Sequence, residues 1–267
     1  MLRPRATTLL AYFVVGVFGA PGAASGQEPA ARVAETPDQE NPTKAVLFSV
    51  RNEYFNLARG AWTNALIFRS DRVLLRTRPR LGGKAGVLTR FDLPIVAADV
   101  GNVGDVGLGD LYAQAAYVPW LTPGFAIAGG TGLTLPTATE KTLGLGKWQV
   151  APALVPVWFF PQQRGFFLLR FQGHLSFAGD DDRRDVRTLE IVPLVLWNFR
   201  RGWWTLIDTN ALVDWEGDDQ VSYRTGVELG HVVNRAWGLA IKPEIPWGTD
   251  RRGDWKVVAF VTRYRRG

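Results

Sequence analysis

His174 and Ser176 stand two residues apart in the stretch FFLLRFQGHLSFAGDDD, residues 166–182. On a strand that spacing puts both side chains on one face. A serine beside a histidine, with an acid such as Glu190 nearby to orient the base, has the parts of an activated hydroxyl nucleophile. The same face also carries Arg170 and Gln172, so the pair reads equally as polar lining of a watery interior. The following "GDDDRRD" is dense in carboxylates, but calcium takes roughly six to eight oxygens in a set geometry. Arg183 and Arg184 stand inside that cluster, which points to a solvated loop. Gly144-Leu145-Gly146-Lys147 lacks the phosphate-loop spacing. The sequence predicts no metal centre, no cofactor and no assured catalytic set.

Charges offer a second kind of chemistry. Arg76, Arg78 and Arg80 alternate, with Leu75, Thr77 and Leu81 on the other face. Arg90, Asp92, Glu190, Asp208, Asn210, Asp214, Arg224, Glu228, Lys242 and Glu244 add polar groups of both signs at strand spacing. Facing water inside a barrel, they either select solutes or pair into a stiff wall, since an unpaired buried charge is costly.

The elements that must position these groups are strands. From Lys44 onward, stretches of period-two alternation are separated by Gly, Pro, Asp and Asn. This predicts strands at 44–57, 72–80, 86–96, 107–119, 123–136, 147–160, 165–177, 185–199, 202–215, 220–232, 235–247 and 254–265. Residues 58–71 fit either an extra strand or a helical turn. Connections alternate short ("PQQR", "R", "VVN") with longer and more acidic ("VAADVGNVGD", "TATEKTLGLG", "AGDDDRRD"), as in barrels with short periplasmic turns and longer outer loops.

Tryptophans decide which face is apolar-side out. Trp148 and Trp158, Trp203 and Trp215, and Trp237 and Trp247 form pairs ten to twelve residues apart, each on one face. Ten to twelve tilted residues span about 25–30 Å of membrane normal, the separation of two aromatic girdles. Between them the same face carries Leu154, Ile207, Leu239 and Ile241, while the opposite face carries Asp208, Asn210, Lys242 and Glu244. The expectation is an all-β fold, one antiparallel transmembrane barrel of about twelve strands. Phe167, Leu169, Phe171 and Phe177 then face lipid, and Arg170 and His174 face the lumen.

Residues 1–26 have the charged start, apolar run and small-residue end of a secretory signal. Residues 27–43 read as a flexible periplasmic lead-in, and 44–267 as the barrel. The formal charge of +6 falls to +4 without Arg3 and Arg5 and is dispersed, which argues against nucleic acid as a partner. The chain has no cysteine, so an exported form must be stable without disulfides. Expected partners are outer-membrane lipids and lipopolysaccharide of a Gram-negative bacterium, small organic solutes and the barrel-assembly machinery.

Four stretches carry a family resemblance: "GDVGLGDLYAQAAYVP" (104–119), "GTGLTLPTATEKTLGLGKWQVAPALVPV" (130–157), and the later pieces "SFAGDDDRRDV" and "GWWTLIDTNALVDWEGD". They resemble the putative outer-membrane proteins associated with the meta pathway of phenol degradation. The resemblance implies a barrel with a channel or transport role for small organic molecules and brings no catalytic set. At the C-terminal end, Val258, Phe260, Thr262 and Tyr264 alternate, but "RRG" follows where barrels usually end on an aromatic residue. The His-x-Ser spacing is also similar to that of outer-membrane lipid A deacylases, so a barrel-wall hydrolase and a closed structural barrel stay as alternatives to a channel.

Overall fold

The computed structural model describes residues 46–57, 60–77, 85–100, 103–122, 124–217, 220–234 and 236–264. The expected signal and lead-in lie outside these residues, as do Arg78 and Arg80. Among the described residues thirteen strands follow one another: β1 (Val46–Asn56), β2 (Trp62–Thr77), β3 (Ala85–Val100), β4 (Val103–Leu108), β5 (Leu111–Leu121), β6 (Phe125–Leu135), β7 (Lys147–Phe159), β8 (Gly165–Gly179), β9 (Arg187–Asn198), β10 (Trp203–Asp214), β11 (Gln220–Val232), β12 (Trp237–Trp247) and β13 (Trp255–Tyr264). Neighbours pair antiparallel, and β1 pairs with both β2 and β13, so the sheet closes.

β4 and β5 are two halves of one wall strand. Ile95–Val100 of β3 pair with β4, and Val87–Asp92 pair with β5. The break falls at Gly109 and Asp110, leaving twelve wall positions. β4 pairs on one edge only, with β3, while the other described strands pair on both edges, as a sheet facing hydrocarbon requires.

The expected strand order holds, with two corrections. Of the two alternatives for 58–71, the described residues from Trp62 onward are strand and not a helical turn in a loop, and β2 runs straight through the stretch expected to start at 72. Thr63, Ala65, Ile67, Arg69 and Asp71 are buried while the residues between them are half-exposed, an unbroken period of two. The described residues of the connection expected at 97–106 are also strand, because Ala98 pairs with Asp105 and Val100 with Val103. Ala98 and Val100 pack inward, where they join an apolar cluster with Leu143, while Val106 on β4 is 74 % exposed.

The wall has a lipid-type exterior. Leu154, Ile207, Leu239, Ile241 and Ile245 are about half exposed or more, and Phe177 is 62 % exposed. Phe167, Leu169 and Phe171 share that outer face. The interior is layered. At the end carrying the short turns, Leu88, Val118, Phe166, Leu168, Leu196, Trp204 and Leu206 form an inward apolar belt. Polar and charged side chains fill the middle. At the opposite mouth, Phe55, Ile67, Val96 and Leu143 form a second apolar cluster. Val258, Phe260, Thr262 and Tyr264 all point inward, so the alternation near the C-terminal end belongs to the lumen face.

Candidate functional site

Among the described residues, strand alternation gathers charge on the lumen face. Arg90, Asp92, Arg170, Gln172, His174, Glu190, Asp208, Asn210, Asp214, Arg224, Glu228, Lys242 and Glu244 all point inward and are buried, none more than 8 % exposed. They come together as ion pairs. Lys242 Nζ lies 2.6 Å from Asp208 and 2.9 Å from Glu244, and Arg224 Nε lies 2.9 Å from Glu244. Arg170 Nη2 holds Glu190 at 2.6 Å, and the Trp204 indole N–H donates to Glu228 at 2.7 Å. Arg76 belongs to β2, but its side chain is outside the described part.

Sequence reasoning missed half of this network. Arg51 and Lys256 both pair with Glu53 at 2.5 Å, Arg69 with Asp92 at 2.5 Å, and Arg90 with Asp71 at 2.9 Å. Arg69 and Asp71 fall in the stretch whose type the sequence left open. The signal was there: two opposite charges two apart on the face that also carries Thr63 and Ile67. A pairing network of this density keeps charge tolerable where water is scarce.

On the outer face, Trp148, Trp215, Trp247 and Trp255 sit towards one end of their strands, and Trp158, Trp197, Trp203 and Trp237 towards the other, all 36–46 % exposed. Several stack on neighbours, as Tyr223 does on Trp247 with centroids 4.4 Å apart. Trp204 breaks the pattern by alternation alone: Trp203 points out, so Trp204 points in and is 1 % exposed.

The candidate hydrolytic group is occupied otherwise. The Ser176 hydroxyl donates to Asp185 at 3.1 Å and accepts the Val186 N–H at 2.9 Å, closing the loop between β8 and β9. Asp185 also takes Lys147 at 2.9 Å, and this bond, with that from Ser176, holds its carboxyl below the usual carboxylate range. His174 Nε2 lies 3.8 Å from Glu190, whose other oxygen holds Arg170. His174 and Glu190 face the lumen, away from any acyl chain arriving from lipid, while Asp185 stands in the exposed loop. In the acidic loop, Arg184 turns back to Asp214 at 2.8 Å, and Lys141 stands 4.0 Å from Asp180.

The loop 136–146 folds into the mouth. Asp110, at the break between β4 and β5, accepts the N–H of Ala138 at 3.2 Å and of Leu145 at 2.6 Å. Thr137 Oγ1 donates to the Gly109 carbonyl at 3.1 Å and accepts the Leu111 N–H at 3.0 Å. A Cβ on Gly107 would meet Thr139 Oγ1 at 2.0 Å, and one on Gly144 would meet Asp110 at 2.5 Å, so only glycine allows this approach. Leu143 is thereby fully buried against Val96 and Phe55. On the far wall, a cavity of about 20 Å³ opens among Asn210, Leu212, Ser222, Tyr223, Arg224, Pro246 and Arg252.

A closed antiparallel barrel with an apolar exterior, aromatic ends and a charged interior is a transmembrane barrel of the outer-membrane porin type. Solved structures with this fold include an outer membrane channel from Pseudomonas putida F1, with a TM-score of 0.68 at 14 % identity, covering 91 % of this chain and 100 % of that one. The NanC porin gives 0.56 at 8 % identity over 82 % of this chain and 99 % of that one. The KdgM porin gives 0.50 at 11 % identity over 81 % and 98 %. No family model and no curated protein matches the chain. The resemblance to the meta-pathway proteins is thus not confirmed by the comparisons; of the residues that carried it, Gly109, Asp110, Thr137, Ala138 and Leu145 build the Asp110 clamp.

Proposed function

We propose that the chain is a passive outer-membrane channel for small organic solutes, exported by a signal at residues 1–26 and inserted among outer-membrane lipids and lipopolysaccharide by the barrel-assembly machinery. The observation that carries this reading is the division of faces: apolar side chains out, and ion pairs lining the whole middle of the lumen. A barrel built only for strength has no need of so many charges, since apolar packing of the same volume serves as well or better. The resemblance to the meta-pathway proteins supports organic rather than inorganic cargo.

A closed structural barrel is the second reading, favoured by the burial of the mid-lumen pairs. Stepwise conductance of the purified protein in planar bilayers tests the choice. Discrete current steps support the channel; an insulating bilayer with folded, inserted protein supports the closed barrel. Hydrolysis of lipid A without current would instead revive the enzyme. The run Arg76, Arg78, Arg80 gives the sign of selectivity. Replacing all three by Gln shifts reversal potentials towards cations if they line the path, an effect that weakens with salt. Unchanged selectivity with a lower unfolding temperature would make them a wall.

A further inference from the structure

The two ends of the barrel differ in the sign of their exposed charge. At the short-turn end Arg164, Arg200, Arg201 and Arg263 are exposed, and among the described residues no carboxylate is exposed there. Glu140, Asp181, Glu216 and Asp250 are exposed in the long loops at the other end. The basic end also carries a recess on its outer surface. The turn after β7 and the end of β9 meet where the Asn198 N–H donates to the Arg164 carbonyl at 2.6 Å. Beside that bond lies a recess of about 290 Å³, lined by Phe160, Pro161, Gln162, Arg164 and Trp197. The Phe160 and Trp197 rings stand 5.6 Å apart, and Trp197 belongs to the outer aromatic row. Arg164 makes no ion pair with any described residue. Two residues past Asn198, the next turn presents Arg200 and Arg201, following Phe199, which is 53 % exposed.

Aromatic side chains at the end of a transmembrane wall sit at headgroup level. With short turns in the periplasm, this end lies in the phospholipid leaflet. A guanidinium presents a fork of donors that matches the two free oxygens of a phosphodiester. Aromatic walls with an arginine among them suit an amphiphile better than a free ion, because the rings gain only from apolar contact. Neighbouring arginines favour a headgroup of net negative charge. The ammonium of a zwitterionic headgroup finds no exposed carboxylate to meet, so the same surface selects against it. We infer that this recess seats an anionic phospholipid of the periplasmic leaflet. Its phosphate lies on Arg164, its glycerol and upper chains lie against Phe160 and Trp197, and Arg200 and Arg201 add to the field. The inference rests on the barrel spanning the outer membrane and is separate from the channel reading.

Native mass spectrometry of the refolded protein in detergent tests it, with phosphatidylglycerol and phosphatidylethanolamine of matched chains as probes. Phosphatidylglycerol is expected to be retained about fivefold more. Arg164→Gln should bring it down to the level of phosphatidylethanolamine. Arg187→Gln, which removes an arginine lying 5.8 Å over Trp215 at the opposite end, should change neither lipid. Trp197→Ala removes one wall of the recess and no charge, and should weaken both lipids together. Heat-modifiable gel migration checks that each variant is folded, and Trp197→Ala decides the matter if Arg164→Gln fails to fold. Equal retention of the two lipids, an unchanged preference in folded Arg164→Gln, or unchanged retention in folded Trp197→Ala would overturn the site. Displacement of the lipid by free glycerol phosphate would also overturn it, since the groove would then hold a small anion. Conductance of the same preparations separates this site from the channel. Current without lipid preference removes the site and keeps the channel; preference without current does the reverse.

Discussion

Asp110 accepts the backbone N–H of Leu145 at 2.6 Å, and that bond ties the break in the β4–β5 wall strand to the far end of the loop between β6 and β7. With the Ala138 N–H on its other oxygen, one carboxylate holds both limbs of the segment that fills the mouth. Hydrogen bonds to a charged acceptor contribute about 1.5–3 kcal/mol each. Asp110→Ala should release the loop without opening the barrel. Trypsin cleavage after the exposed Lys141 should then quicken at least tenfold, with heat-modifiable migration unchanged. Unaltered cleavage would mean that Leu143 burial alone holds the loop.

Ile241 lies near the middle of β12, 52 % exposed on the outer face, with Lys242 fully buried next to it. An arginine near the midplane of the lipid face costs about 2–4 kcal/mol. Ile241→Arg should lower the denaturant midpoint for refolding into lipid vesicles accordingly, and Ile241→Ala should cost far less. Equal effects of the two would contradict the facing. Arg at Gln172 is no neutral control, although the residue lies on the lumen face. Its side chain is fully buried and within 3.4 Å of the Tyr112 hydroxyl, so added bulk meets a packed interior.

Much of this was legible because a strand's period of two is local. Phe177, Leu239 and Ile241 declare a face by their immediate neighbours, and the ten-residue spacing of Trp237 and Trp247 measures the slab they cross. Pairing is not local. Arg69 meets Asp92 and Lys256 meets Glu53 only after strands are set in register, and nothing in the spacing of these residues distinguishes a paired charge from a solute-facing one. The inward apolar belt was hidden for a related reason. Phe166 and Leu168 look like continuations of the greasy stretch that follows, yet they fall on the same face as Arg170. In the Gly-x-Gly-Asp motif the residues were visible, but their purpose is contact with a loop some thirty residues away.

The loop between β8 and β9 should respond to acid through Asp185. Its carboxyl is held below the ordinary range by the hydrogen bond from Lys147 and that from Ser176. A depressed folded value means that the stabilisation is present above the unfolded pKa, near 3.9, and is lost as pH falls through the lower, folded one. Protection of the 180–186 amides from hydrogen exchange should therefore fade only in that acid window. Asp185→Asn should show the weaker protection at every pH; protection that still falls with acid in this variant would place the titrating group elsewhere.

The apolar belt depends on a single close fit. Trp204 lies against Gly230, where an added Cβ would sit 2.0 Å from the indole Cζ2. The indole is also pinned at its N–H by Glu228, so it cannot swing aside without losing that bond. Gly230→Ala should thus cost about 1–3 kcal/mol through overpacking. Trp204→Ala should cost about 3–5 kcal/mol through the cavity it leaves. Because the two side chains contest the same space, the double variant should be more stable than the sum of the single costs implies, a coupling that contacting residues show and distant ones do not. The temperature at which the folded gel band is lost, followed for all four proteins, gives that coupling. Additive costs would place Trp204 away from Gly230 and remove the close fit from the belt.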